Sequence, residues 1–107
     1  MYDWDEPYKI KAQILKALAH PSRLAIVDEL CKGEKCVCEL QQVVGSDMST
    51  VSRHLSVMKA AGIVSDRRVG NQVFYRFRLP CVIDLLRCVE VVLQEDLKSR
   101  RAAAAEV

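Results

Sequence analysis

No apolar run in this sequence is long. Charged residues interrupt every hydrophobic stretch within a few positions, far short of the ~20 consecutive apolar residues that a membrane-crossing helix needs. A membrane is therefore not expected among the partners. The N-terminal MYDWDEPY carries acids where a secretory signal carries Lys or Arg ahead of an apolar core, and the expectation is a cytoplasmic protein. Glycine is sparse, and its four copies stand singly, so no glycine-rich loop is available to cradle a phosphate. Histidine is nearly missing, with His20 and His54 alone. No local signature of a cysteine or histidine nucleophile appears, and a chain this short offers little cleft, so an enzyme is not expected.

What is present points elsewhere. With 107 residues, half of them apolar, the chain can bury one modest core, and no change of composition marks a second domain, so residues 1–107 are read as a single domain. Five cysteines, Cys31, Cys36, Cys38, Cys81 and Cys88, make an odd count for a disulfide framework, and a cytosol keeps thiols reduced. Metal binding, redox sensing and simple burial stay open for them. The net charge of +2 conceals an asymmetry: residues 46–79 hold six basic residues against two acidic ones, whereas both flanks are slightly acidic. A basic centre of this kind is expected of a nucleic-acid footprint, or of a solvated charged face.

Periodicity supplies the elements. Ile10, Ile14, Leu15 and Leu18 recur at helical spacing and predict a first helix from about Pro7 to Ala19, ended by His20-Pro21. Pro21 suits the first turn of a second helix that runs to the Cys31-Lys32-Gly33 stop. Cys36-Val37-Cys38-Glu39-Leu40 leads into a short third helix ending near Gly45, and Ser46 or Asp47 can cap a fourth, whose apolar set is Val51, Leu55, Met58 and Ala61. Alternation about Gly70-Asn71 reads as a β-hairpin. A last long helix begins at Cys81, with Arg100-Arg101 and the alanines behind them expected to fray. The fold class is therefore mainly α with a small β-hairpin, a winged helix-turn-helix of five helices plus wing, its helix-turn-helix built from the third and fourth helices.

Three stretches, LKALAHPSRLAIVDEL, STVSRHLSVMKAAGIV and DRRVGNQVFYRF, resemble in order and spacing the signature segments of the ArsR/SmtB repressors, and together they cover nearly the whole chain. The resemblance implies a winged-helix metalloregulatory repressor: a homodimer joined through its first and last helices, bound to palindromic double-stranded operator DNA without a cofactor, and leaving it when a metal or metalloid is captured. The long apolar stripe of the last helix, more than so small a domain can cover alone, agrees with such a dimer. EKCVCEL further resembles the Cys-Val-Cys box of the arsenic-responsive members, which implies Cys36 and Cys38 as ligands of trivalent arsenic or antimony, or of another thiophilic metal. Where that box commonly has a third cysteine, this chain has Gln41. Cys31 is the nearest further thiol in the chain.

Soft thiolates select soft ions. Cys36 and Cys38 fall on different sides of an ideal helix, so joint ligation requires a distorted or extended helix start. Cys81 and Cys88 lie two turns apart, too far to share one ion, and read as small packing residues or as a separate sensor. The zinc-responsive relatives use an Asp and several His on the last helix, where this chain has Asp84 and no histidine. The fourth helix is expected in the major groove, with Ser49, Thr50, Ser52 and Arg53 at base edges or phosphates. His54 takes either a phosphate contact or a structural role, and Arg67, Arg68 and Arg76 of the wing take backbone contacts. Two other readings stay open. One is a repressor of the same fold that senses a disulfide or persulfide at Cys31 with Cys36 or Cys38. The other is a metal-binding or interaction module that has lost DNA binding.

Overall fold

The computed structural model describes residues 3–105; of the expected span 1–107, residues 1, 2, 106 and 107 lie outside the described part. The elements follow as α1 (Glu6–Leu18), α2 (Pro21–Leu30), β1 (Lys35–Cys36), α3 (Val37–Val44), α4 (Met48–Ala60), β2 (Val64–Val69), β3 (Gln72–Phe77) and α5 (Pro80–Ala105). This is the winged helix-turn-helix architecture expected from the pattern.

Local chemistry sets the joints. His20 is extended, and its Nδ1 accepts the backbone N–H of Ser22 at 3.1 Å. Pro21 then fills the first helical turn, where a missing N–H costs nothing. At the end of α3 the chain reverses through Gly45, at φ +76°. Nothing stands within 4 Å of where a Cβ would be, so the torsion and not the space calls for glycine there. Asp47 then caps α4 by accepting the Thr50 N–H at 2.7 Å.

The core lies where α2, α3, α4 and the base of the hairpin meet. Ile26, Val27, Leu40, Val51, Leu55, Met58 and Ile63 are fully buried, each contributing on the order of 1.5–3 kcal/mol. Ala17 and Leu18 close it from α1. From α5 only partly buried residues such as Val82 and Leu86 pack on it, and no residue of that helix is buried. The inner side of α4, with Val51, Leu55 and Met58, is thus keyed into the core, and its outer side is fixed in direction.

One expectation is extended and one is corrected. The hairpin has a third strand: β1 pairs antiparallel with β3, Lys35 opposite Tyr75 and Cys36 opposite Phe74, giving the order β1-β3-β2. Two residues are too few for alternation to show. The alanine-rich end does not fray at Arg100 but stays helical to Ala105, in keeping with alanine's rank as the best helix former.

Candidate nucleic-acid interface and thiol loop

Seen from solvent, α4 presents Ser49, Ser52, Arg53 and Ser56, all exposed and spaced so that they share one side of the helix. Ser56 was not singled out by motif, although the same spacing indicates it. Ser49 and Thr50 serve the cap: the Ser49 hydroxyl donates to Asp47 Oδ1 at 3.0 Å and Thr50 offers its N–H. These bonds, those of Thr50 foremost, together with the charge of Arg53, hold the Asp47 carboxyl below the usual carboxylate range.

His54 is buried, and of its two expected roles the geometry supports the structural one. Its Nδ1 accepts the Arg23 Nε–H at 3.1 Å, and its ring stands 4.5 Å from that of His20. Arg23 also donates to the Ala17 carbonyl at 3.1 Å. The imidazole thus ties α4 to the α1–α2 junction. Burial first, then the charges of His20, Arg23 and Arg53, lower its pKa.

In the wing, Val64 pairs with Phe77, Ser65 with Arg76, Arg67 with Phe74 and Arg68 with Val73. Alternation divides the three arginines expected to act together. Arg67 and Arg76 lie on one face with Phe74, whereas Arg68 lies on the other with Asp66. Arg67 is also engaged within the chain. Its Nη2 lies 2.7 Å from Glu34 Oε1, its Nε donates to the same oxygen at 2.7 Å, and its guanidinium rests 5.7 Å from the centre of the Phe74 ring. On the opposite face Lys59 pairs with Asp66 at 3.0 Å.

Cys36 is the N-cap of α3 rather than part of it, extended at φ −80° and ψ 163° and buried. Its sulfur faces the backbone N–H of Glu39, while the Glu39 carboxylate accepts the Cys36 N–H at 3.5 Å and its thiol at 3.2 Å, a capping box with cysteine in the place of serine. The Glu39 N–H favours the thiolate most, but burial, the Glu39 carboxylate and Cys38 together outweigh it and push the thiol up. Cys38 is exposed. Cys31 opens onto a groove between α2 and α5, beside Asp28 and Arg87, and burial followed by the Asp28 charge raises its pKa. Among the described residues no group of three or more His, Cys, Asp or Glu side chains is arranged to hold a metal ion. Cys31 closes the C-terminal end of α2, whereas Cys36 and Cys38 flank the start of α3. Cys81 and Cys88 are exposed on α5. Among the described residues no helix is long and apolar enough to cross a membrane.

A helix keyed into the core by one side and polar on the other, reached through a short glycine turn and flanked by a basic hairpin, defines a DNA-binding winged helix-turn-helix. Residues 20–66 match the family model of bacterial regulatory proteins of the arsR family. The chain is 37% identical over 101 residues to the HTH-type transcriptional regulator Rv0081 of Mycobacterium tuberculosis, covering 94% of this chain and 89% of the relative. The crystal structure of Rv0081 superposes with a TM-score of 0.75 at 38% identity, over 89% of this chain and 96% of that one. The homodimeric winged helix-turn-helix DNA-binding domain of Mb0332 from Mycobacterium bovis, solved by NMR, gives a TM-score of 0.75 at 32% identity, over 91% and 92% of the two chains. The biofilm growth-associated repressor of Xylella fastidiosa is 46% identical over 65 residues, 61% of this chain and 57% of that protein. This chain belongs to the arsR family, a family of transcriptional regulators and not of enzymes.

Proposed function

We propose that this protein is a homodimeric repressor that holds double-stranded operator DNA through α4 and the wing, and releases it when a thiophilic agent engages Cys36 and Cys38. The observation that carries the DNA half is the exposed row Ser49, Ser52, Arg53 and Ser56 on a helix whose other side is locked into the core. Dimerisation is supported by the apolar residues left bare on α1 and α5. Leu85, Val89, Val92 and Leu93 form one stripe along α5, and Trp4, Tyr8 and Leu15 are bare on the first helix and the turn before it. Two-fold symmetry then presents two copies of α4 to an imperfect palindrome, with half-sites about one helical turn, near 10 base pairs, or a multiple of it apart.

The sensing half rests on the position of Cys36. Any new bond to its sulfur competes with the cap of α3, the helix that leads into α4. Trivalent arsenic or antimony is the leading class of inducer, because soft ions seek thiolates. The exposure of Cys31 and Cys38 keeps a second reading in view, a regulatory disulfide or persulfide formed by Cys31 with Cys36 or Cys38. Titrating the DNA complex with arsenite and, in a parallel experiment, with a persulfide donor separates the two.

The DNA assignment is tested by substitution. Arg53→Ala is expected to weaken specific operator binding by about 1–3 kcal/mol. Arg68→Ala is expected to weaken all sequences alike and to reduce the salt slope by about 0.9. Equal effects of the two changes on operator and random duplex contradict the assignment.

A further inference from the structure

We infer that Glu34 is a built-in competitor for DNA phosphate: it occupies Arg67 of the wing and thereby limits the affinity of the protein for DNA of any sequence. The inference rests on the DNA-binding reading above and adds to it a residue outside the expected DNA contacts.

A guanidinium binds a carboxylate oxygen and a phosphate oxygen through the same N–H donors. In this protein both the Nε and the Nη2 of Arg67 lie 2.7 Å from one oxygen of Glu34, so the Nε–Nη2 edge, one of the forks with which a guanidinium grips a phosphate, is already taken. The carboxylate is not a loose surface group. Glu34 immediately precedes Lys35 and Cys36, which are held in the ladder opposite Tyr75 and Phe74, and its side chain is 28% exposed against 65% for that of Arg67. Phe74 stands beneath the guanidinium, its ring centre 5.7 Å away. Glu34 also feels Arg76 on the same face: the hydrogen bond from Arg67, then the charges of Arg67 and Arg76, hold its carboxyl below the ordinary range. One acid thus stands among both arginines of that face, and a phosphate can take the Nε–Nη2 edge of Arg67 only by displacing the carboxylate.

The position of Glu34 has a second aspect. Cys36, Phe74 and Arg67 lie in one row across β1, β3 and β2, so a shift of β1 that follows chemistry at Cys36 moves Glu34 against Arg67 as well as α3 against α4.

The test is a salt titration of binding to a labelled duplex of mixed sequence, because a backbone contact needs no operator. Glu34→Gln keeps the size of the side chain and removes its charge. It is expected to tighten binding about two- to fivefold, the range that an exposed ion pair supports, and to steepen the plot of log affinity against log salt by about 0.9, one added phosphate contact. In an Arg67→Ala background the same change should leave the slope where it was. An equal gain with and without Arg67 would show only the general effect of removing an acid, and would overturn the proposal, as would no gain at all. If the wild type binds duplex and is weakened by Arg53→Ala while Glu34→Gln changes nothing, this inference alone falls. If the wild type holds no duplex, the DNA-binding reading falls with it.

Discussion

Replacing Cys36 separates its two tasks, as a cap and as a reagent. The residue is extended at the head of α3, with its sulfur toward the Glu39 N–H and its thiol donating to the Glu39 carboxylate at 3.2 Å. Serine is among the best N-cap residues, and its hydroxyl both accepts and donates. Cys36→Ser therefore keeps the capping box, and the loss of a buried sulfur is offset by a stronger acceptor; the net change is expected within about 1 kcal/mol. Cys36→Ala leaves the Glu39 N–H without its side-chain partner, although the carboxylate keeps the backbone N–H of residue 36, and should cost about 0.5–2 kcal/mol. For a chain of this size that lowers the melting midpoint by roughly 4–8 °C per kcal/mol. Both variants lack the thiol and should behave alike toward an inducer. Wild-type protein on a fluorescent operator is expected to lose affinity on arsenite by about 1–3 kcal/mol, or roughly 5- to 150-fold, whereas Cys36→Ser, Cys36→Ala and Cys38→Ser should remain bound. Thermal melts and operator release by the same preparations decide both points. Equal midpoints for the serine and alanine variants would refute the cap. Release of Cys36→Ser at the wild-type arsenite concentration would remove the switch from this loop and leave Cys81 and Cys88 as the thiols to examine.

Leu93 is bare and lies on the apolar stripe of α5. Leu93→Asp should forfeit on the order of 1.5–3 kcal/mol of burial in each protomer of a dimer, and sedimentation at micromolar concentration should show monomer where the wild type shows dimer; a monomeric wild type contradicts the interface. His54 carries a pH signature. Its folded pKa lies below the ordinary 6.5, so the unfolded chain takes up a proton that the folded chain refuses. Stability is then fully present above about pH 6.5 and is lost as the pH falls below it toward the folded value. The melting midpoint should drop between about pH 7 and pH 5 in the wild type and less in His54→Gln, and parallel profiles would place the titration elsewhere.

Much of this was readable from residue spacing. Gly45 and Asp47 mark the turn of the helix-turn-helix because one supplies a torsion and the other an acceptor that few residues can replace. Pro21 and Gly70 mark their joints in the same way. What escaped did so for definite reasons. The buried place of His54 was obscured by its residue type, although positions 51, 54, 55 and 58 trace the inner stripe of α4. The division of Arg67 from Arg68 follows from strand parity, but the Glu34–Arg67 pair joins residues 33 apart in sequence that only the folded sheet brings together. The place of Cys31 in the groove between α2 and α5 depends on where α5 packs, and no spacing rule encodes that.

The order β1-β3-β2 puts the most apolar strand, β3, in the middle and leaves two open borders. An unpaired border is a template on which another chain can build, and proteins guard it with brevity or charge. Here β1 is two residues long, too short to recruit a neighbour, and β2 carries Asp66, Arg67 and Arg68 in succession. The charges of β2 thus protect the free protein from strand-by-strand aggregation, so neutralising its arginines should shorten the shelf life of the unbound protein, whatever it does to the proposed contact with DNA.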